Sequence, residues 1–576
     1  MPKRGGSVHV ATIKTKGPGD TVYTSYLLRR SYREDGHVHH ENLGNLSHLP
    51  LPAIEAVRRV LAGETLVSAA ESFAVERSLP HGHVAAVLGV FKDLDLARVL
   101  SRERSRERDL VVALICQRLL SPGSKLSATR CFGKTTLAEE LELGEVSEAE
   151  LMAALDWLLG RKDRIERTLA HRHLSPGGFV LYDLSSSYFE GRSCPLAALG
   201  YSRDGKPGLP QVNYGLICSS EGRPVGVEVF PGNTVDQETF PQAVETVTRR
   251  FGFTRVIFVG DRGMITRSQA ETLKGEGAGF ITALRSGELR ALLGSGALQL
   301  SLFDETNLAE VTAPDFPGER LVVCRNPHVA ALRSRKREEL LQATEAELRQ
   351  VASMVEGPRG RLKEAPAGVI GERVGRVVNR YKMAKHFTLE IADGAFSFSR
   401  KEAEIEREAA LDGFYVLRTT CPTEELGPQA VVRAYKQLKE VEEAFRTLKS
   451  PELEIRPIYH HLEDRVKAHI FLCMLAYYVA FSLKERLAPL FFTDDTPVAP
   501  LDPVAPALRS SGSKAKAGSK RTDDGFACHT LRDLLTELGT LCRHSVRVGA
   551  SEHTFTQLTK PTPLQQRAFE LLGIRP

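Results

Sequence analysis

The sequence predicts an α/β protein, and three observations carry that prediction. Apolar residues recur at three- and four-residue spacing from about 51 to 175, then give way at 178 to short apolar runs separated by helical segments. Two of those runs, FVLYDLSSSYFEG at 179–191 and RVIFVGDRG at 255–263, carry Asp183 and Asp261. A later basic helix with one acidic face, YKQLKEVEEAFRTLK at Tyr435–Lys449, carries Glu442.

Taken in order, residues 1–50 read as a small β unit. TVYTSYLLRRSYRED alternates like a strand, Asp35-Gly36 signals a hairpin turn, and HVHHENLGNL returns. His37, His39 and His40 then lie on an exposed strand face rather than around a metal. Residues 51–175 read as a helical domain, broken at Gly63, Pro122-Gly123 and Pro176-Gly177. Arg102, Arg104, Arg106 and Arg108 cluster at the head of one of its helices, as phosphate contacts or as a solvated helix end.

From 178 the run FVLYDLS, QVNYGLICSS, RPVGVEVFPG predicts three antiparallel strands. Helix FPQAVETVTRRFG, strand RVIFVGD, helix RSQAETLKGEG and strand GFITALR follow. This is the element order of an RNase H-like domain, assigned to 176–490. The stretch 286–412 interrupts it with HVAALRSRKREELLQATEAELRQVASMVE, a long charged helix, followed by strands, and the core resumes at GFYVLRTT. Residues 491–526, rich in Pro, Ser, Gly and Lys, read as a disordered linker. Residues 527–576 read as a C-terminal helical tail.

Composition bounds the reading. At 576 residues, several domains are expected, and 42% apolar with 26% charged residues is ordinary globular usage. Net charge is only +5, from 77 basic and 72 acidic residues, so clustering matters more than the total. Nine cysteines without a CxxC pair point to reduced thiols in a cytosol. Cys528, His529, Cys542 and His544 match no standard zinc spacing. MPKRGGSVHV lacks the apolar segment of a signal peptide, and IFLCMLAYYVAFSL at 470–483 is too short to span a bilayer. A cytoplasmic protein without a membrane partner is expected.

The acidic positions suggest a chemistry. Aspartates on buried strands and a glutamate on a later helix are hard oxygen ligands that can converge on two divalent cations. Two Mg²⁺ roughly 4 Å apart stabilise the attacking and leaving oxygens of a phosphodiester. Asp183 is expected to bridge both ions, with Asp261 holding one and Glu442 the other. Glu440 and Glu443 point elsewhere on the helix, and Asp236 and Glu238 sit where a helix begins. Glu190 and Asp204 are further nearby carboxylates. Tyr435, Leu438, Glu442, Phe445, Arg446 and Lys449 fall on one broad helix face, so Tyr435, Arg446 and Lys449 are expected to contact DNA phosphates.

YDLSSSYFEG, FVGDRGM and YKQLKEVEEAFRTLK resemble the DDE transposases of bacterial insertion sequences. The branch resembled carries a Tyr-x2-Arg-x3-Glu-x6-Lys signature, which Tyr435, Glu442 and Lys449 match, while Leu438 stands in place of its Arg. The GNTVDQETF loop and RPIYHHLEDRVKAHIFLCML at 456–475 also agree, so the resemblance covers roughly 178–490. It implies a mainly β insertion at 286–412. It further implies Mg²⁺, with Mn²⁺ as a substitute, and cleavage at terminal inverted repeats followed by joining of 3′-hydroxyls to target DNA by a homodimer on DNA.

The basic runs Arg333, Arg335, Lys336, Arg337; Arg359, Arg361, Lys363; and Arg373, Arg376, Arg380 are then phosphate contacts or solvated helix charges. End recognition is expected from 51–175. A metal nuclease that cuts without joining is the same-fold alternative, and a domesticated DNA-binding protein without chemistry is the other.

Overall fold

The computed structural model describes residues 6–64, 73–296, 298, 307–357, 360–494, 496–498, 500–549 and 553–576, and Arg359 lies outside them. The chain divides into two compact units, Met1–Leu79 with Cys542–Lys560, and Pro80–Leu541 with Pro561–Pro576.

In the first unit, β1 (Ser7–Lys16), β2 (Val22–Glu34) and β3 (His37–Asn45) form an antiparallel sheet. Asp35 and Gly36 turn the β2–β3 hairpin with φ of 50° and 82°, the left-handed pair that Asp-Gly tolerates. Helix Leu51–Leu61 joins this sheet through Arg58, which donates to Thr12 Oγ1 at 3.0 Å. A second sheet pairs β4 (Phe73–Pro80) with the hairpin Cys542–Val548 and Thr554–Leu558. The region expected to be a helical tail therefore contains a hairpin, paired with a strand hundreds of positions earlier. Pairing at that range leaves no local mark in the sequence.

The second unit is built on an eight-stranded mixed sheet. β5 (Phe179–Tyr188), β6 (Gln211–Ser219) and β7 (Pro224–Pro231) are antiparallel neighbours. β8 (Ile257–Gly260) and β9 (Gly279–Ala283) add on the other side of β5, parallel to it. This connectivity makes the core RNase H-like. β6 is buried along its whole length, and Gly215 leaves the space that the Tyr182 ring fills, where a Cβ would collide with it.

The insertion contributes β10 (Leu308–Val311), β11 (Arg320–Arg325) and a separate hairpin, β12 (Phe387–Ala392) with β13 (Ala395–Arg400). The core resumes at β14 (Phe414–Thr419), and the sheet order is β10-β11-β14-β9-β8-β5-β6-β7. The insertion is richer in helix than the expected mainly β segment. Its longest elements are helices Pro327–Glu356 and Ala367–Tyr381. Leu341, Leu348, Val351 and Val355 recur at helical spacing and pack with Ile370, Val374, Phe387 and Phe396 into a core of their own. Periodicity in these residues outweighs the family expectation.

Helix Glu463–Arg486 has the length and apolar character of a membrane span, yet it is buried on nearly every face inside the unit. Helices Gly82–Asp93, Arg106–Leu120 and Glu148–Leu159 pack around it. The helical region expected at 51–175 thus divides: its first helix lies in the first unit, and the rest shares one apolar core with the sheet. Within the arginine cluster, Arg104 pairs with Asp109 at 2.7 Å and Arg106 with Glu150 at 3.2 Å. Residues 491–526, expected to be disordered, include helix Ser511–Ser519. Asp494 accepts from Ser510 N and Oγ at 2.8 and 2.6 Å, so the short polar side chains that read as linker serve as caps.

Candidate active site

Parallel β5 and β8 decide where the two aspartates lie. Tyr182 is in register with Gly260, so the next residues, Asp183 and Asp261, stand at the same level on neighbouring strands. β8 ends at that point, and its backbone is held by Thr282 Oγ1, which donates to the Asp261 carbonyl at 2.8 Å. Asp183 Oδ1 accepts from Leu184 N at 2.8 Å.

The motif segment forms two helices, Pro428–Lys436 and Leu438–Lys449, with a break at Gln437. Leu438, Val441, Ala444, Phe445 and Leu448 are buried, and the second helix packs over β5. Phe445 meets the Tyr214 ring edge-on, centroids 5.8 Å apart. Glu442 is left exposed on this helix. From the first helix, Tyr435 donates its phenol proton to Asp261 Oδ1 at 3.3 Å.

The three carboxylates share one electrostatic field. Burial pushes the Asp183 carboxyl up to about 7, and the charges of Asp261 and Glu442 push the same way. The Leu184 N–H and Arg203 pull against them. Among the described residues, no three His, Cys, Asp or Glu side chains are already closed into a metal-holding group. The donor set nevertheless fits a hard divalent cation. It offers only carboxylate oxygens, two of them on the exposed side chains of Asp261 and Glu442, beside the partly buried Asp183.

The other expected residues go to different partners. Lys449 Nζ donates to Asp204 Oδ1 at 2.9 Å, and Arg456 pairs with the same oxygen. Tyr188 N donates to Asp204 Oδ2 at 3.2 Å. Asp204 is therefore a buried anchor for two cations, a role the sequence reading missed by treating it only as a rival ligand. Arg446 is exposed and pairs with Glu443 at 2.7 Å. Leu438 and Phe445 face the core, so the broad helix face expected from spacing is split between interior and solvent. Arg203, also missed, reaches Asp236 at 2.5 Å and acts on Asp183. In the basic runs, Arg335 pairs with Glu339 at 2.8 Å and Arg380 with Glu347 at 2.7 Å. Arg337 is buried against Asp412, 3.0 Å away through Nη1.

A family model described as the transposase DDE domain matches residues 190–479, half of the chain. The chain belongs to the DDE transposases. The transposase match begins just after Asp183 and spans Asp261 and Glu442. A second model, the N-terminal domain of IS1634 family transposases, matches residues 10–72, so this is an insertion-sequence DDE transposase, an enzyme that cuts and joins DNA. A solved structure titled as a cryo-EM piggyBac transposase synaptic complex with hairpin DNA is similar at 9% identity and a TM-score of 0.34. That similarity covers 80% of this chain and 76% of that one. No curated protein matches the transposase.

Proposed function

We propose that Asp183, Asp261 and Glu442 are the metal-binding catalytic residues of this transposase, with Mg²⁺ as the ion and Mn²⁺ as a substitute. When bound, the metal pair stabilises developing charge on the attacking and leaving oxygens and lowers the pKa of the attacking water. The observation that carries the reading is the pairing of Asp183 and Asp261 at one level of β5 and β8, with the Glu442 helix packed across β5. Asp183 sits on a rigid, buried strand, while Asp261 and Glu442 are exposed and accessible to a DNA strand. Tyr435 orients Asp261 through its hydrogen bond, and Lys449 positions the 202–206 turn through Asp204.

The enzyme binds the terminal inverted repeats of its element, cleaves there, and joins the freed 3′-hydroxyls to target DNA as a homodimer assembled on DNA. End recognition is assigned to 51–175, and backbone contact near the scissile bond to Tyr435 and Arg446, with Lys449 acting there through the turn it holds by Asp204. The protein works in the cytoplasm, at the nucleoid. The test is cleavage of an uncut element end, and strand transfer of a pre-cleaved one, by the purified protein with Mg²⁺. Cleavage without any joining supports a nuclease instead, and neither activity removes the proposal.

A further inference from the structure

Outside the residues assigned to the active site, the second unit contains a cavity of about 470 Å³ between the start of helix Lys125–Cys131 and the segment 454–469. Its inner wall is basic. Arg118, Lys125 and His469 are 6%, 5% and 5% exposed, while Tyr459 and Leu462 at the mouth are 54% and 57% exposed. The wall is organised by a directed chain: His469 Nε2 donates to the Ile455 carbonyl at 3.0 Å, leaving Nδ1 to accept from Lys125 Nζ at 2.8 Å. That arrangement keeps the imidazole neutral, with the Lys125 amine as the donor to Nδ1.

Among the described residues, neither Arg118 nor Lys125 is paired with a carboxylate, whereas Arg465 on the same lining pairs with Asp156 at 3.5 Å. Among the same described residues, Arg118 donates only to the Glu454 carbonyl at 3.4 Å and Lys125 forms no ion pair. Arg465, also on the lining, has a buried Nε without a hydrogen-bond partner. Burial and the neighbouring Arg118 charge lower Lys125 to about 7, and burial with the Lys125 charge lowers His460 to about 3. An unpaired buried cation costs several kcal/mol unless something neutralises it. The carboxylates on the lining, Glu148 and Glu454, are not among the groups that act on Lys125.

We propose that this cavity binds a phosphate group of the DNA backbone, held by Lys125, Arg118 and Arg465. Arg456 lines the cavity and also pairs with Asp204, which accepts from Lys449 on the catalytic helix, so a strand seated here is linked to the active-site side of the fold. The inference rests on DNA being the substrate and does not depend on which carboxylates bind metal.

The test uses the full chain, with Lys125→Met and Arg118→Gln. Inorganic phosphate should raise the melting temperature of the wild type above that in chloride at matched ionic strength, and should not do so in either variant. Terminal-repeat DNA should bind each variant about tenfold more weakly, with a salt dependence shallower by about one phosphate contact. DNA saturation should also abolish the phosphate-induced shift in the wild type. A shift that survives in Lys125→Met overturns the site. A phosphate shift with unchanged DNA affinity and slope overturns the DNA assignment and leaves a free-phosphate site. If Lys125→Met melts well below the wild type in chloride, the conservative Lys125→Arg decides, since restored phosphate response supports the site and its loss refutes it. Glu442→Gln should keep every one of these binding responses, so failure of the metal proposal is read separately, from cleavage.

Discussion

Tyr435 and Asp261 are joined by a hydrogen bond of 3.3 Å across 174 positions of sequence, from the helix before the Gln437 break to the end of β8. Neighbouring Asp261, after burial, holds the phenol protonated, so the donor is present at every working pH. Replacing Tyr435 by Phe removes that donor and keeps the ring. Cleavage should fall about tenfold, the value of one hydrogen bond to a charged group. End binding and melting temperature should stay near wild type. An unchanged single-turnover cleavage rate would make the contact incidental.

Glu442→Gln keeps helix Leu438–Lys449 and its buried face, because Glu442 is exposed and only one oxygen changes. Cleavage should drop by about a hundredfold or more through loss of a metal ligand, while gel-shift affinity for end DNA is retained. Chelation with EDTA should reproduce this pattern in the wild type. If Glu442→Gln cuts at a normal rate, Glu443 becomes the residue to change next.

Asp204 holds Lys449 and Arg456 with its own side chain wholly buried. Asp204→Asn leaves two cations facing one neutral amide, and chemical denaturation should show a loss of about 2 kcal/mol, moderated by the partial exposure of Arg456. Arg446→Ala, which breaks only an exposed pair with Glu443, should change stability by less than about 0.5 kcal/mol. Equal losses in the two variants would contradict the buried-anchor role of Asp204.

Burial lowers His83 and His173 from 6.5 to about 4. Their folded values lie below the unfolded one, so the unfolded chain takes up protons first. The stability they contribute is complete above pH 6.5 and is lost as pH falls toward 4. Urea midpoints should decline across that window, and His173→Gln should flatten part of the decline. A midpoint independent of pH between 6.5 and 4 would refute the assignment.

The sequence alone determined the core. Strand and helix order from 178 to 285 is written in local periodicity, which each segment needs in order to bury one face, and the place of Asp261 follows because the end of β8 is visible as the end of an apolar run. The long helix at 327–356 was legible for the same reason. What tertiary structure decided is pairing. Asp204 became an anchor rather than a ligand because Lys449 and Arg456 reach it from distant segments. The tail hairpin joined β4, and the early helices merged with the core around Glu463–Arg486. Apolar spacing shows that a face is buried but not against what. Charge composition shows that cations exist but not which of them find a carboxylate, and Lys125 and Lys449 look alike in the sequence until the fold gives a carboxylate, Asp204, to Lys449 and an imidazole, His469, to Lys125.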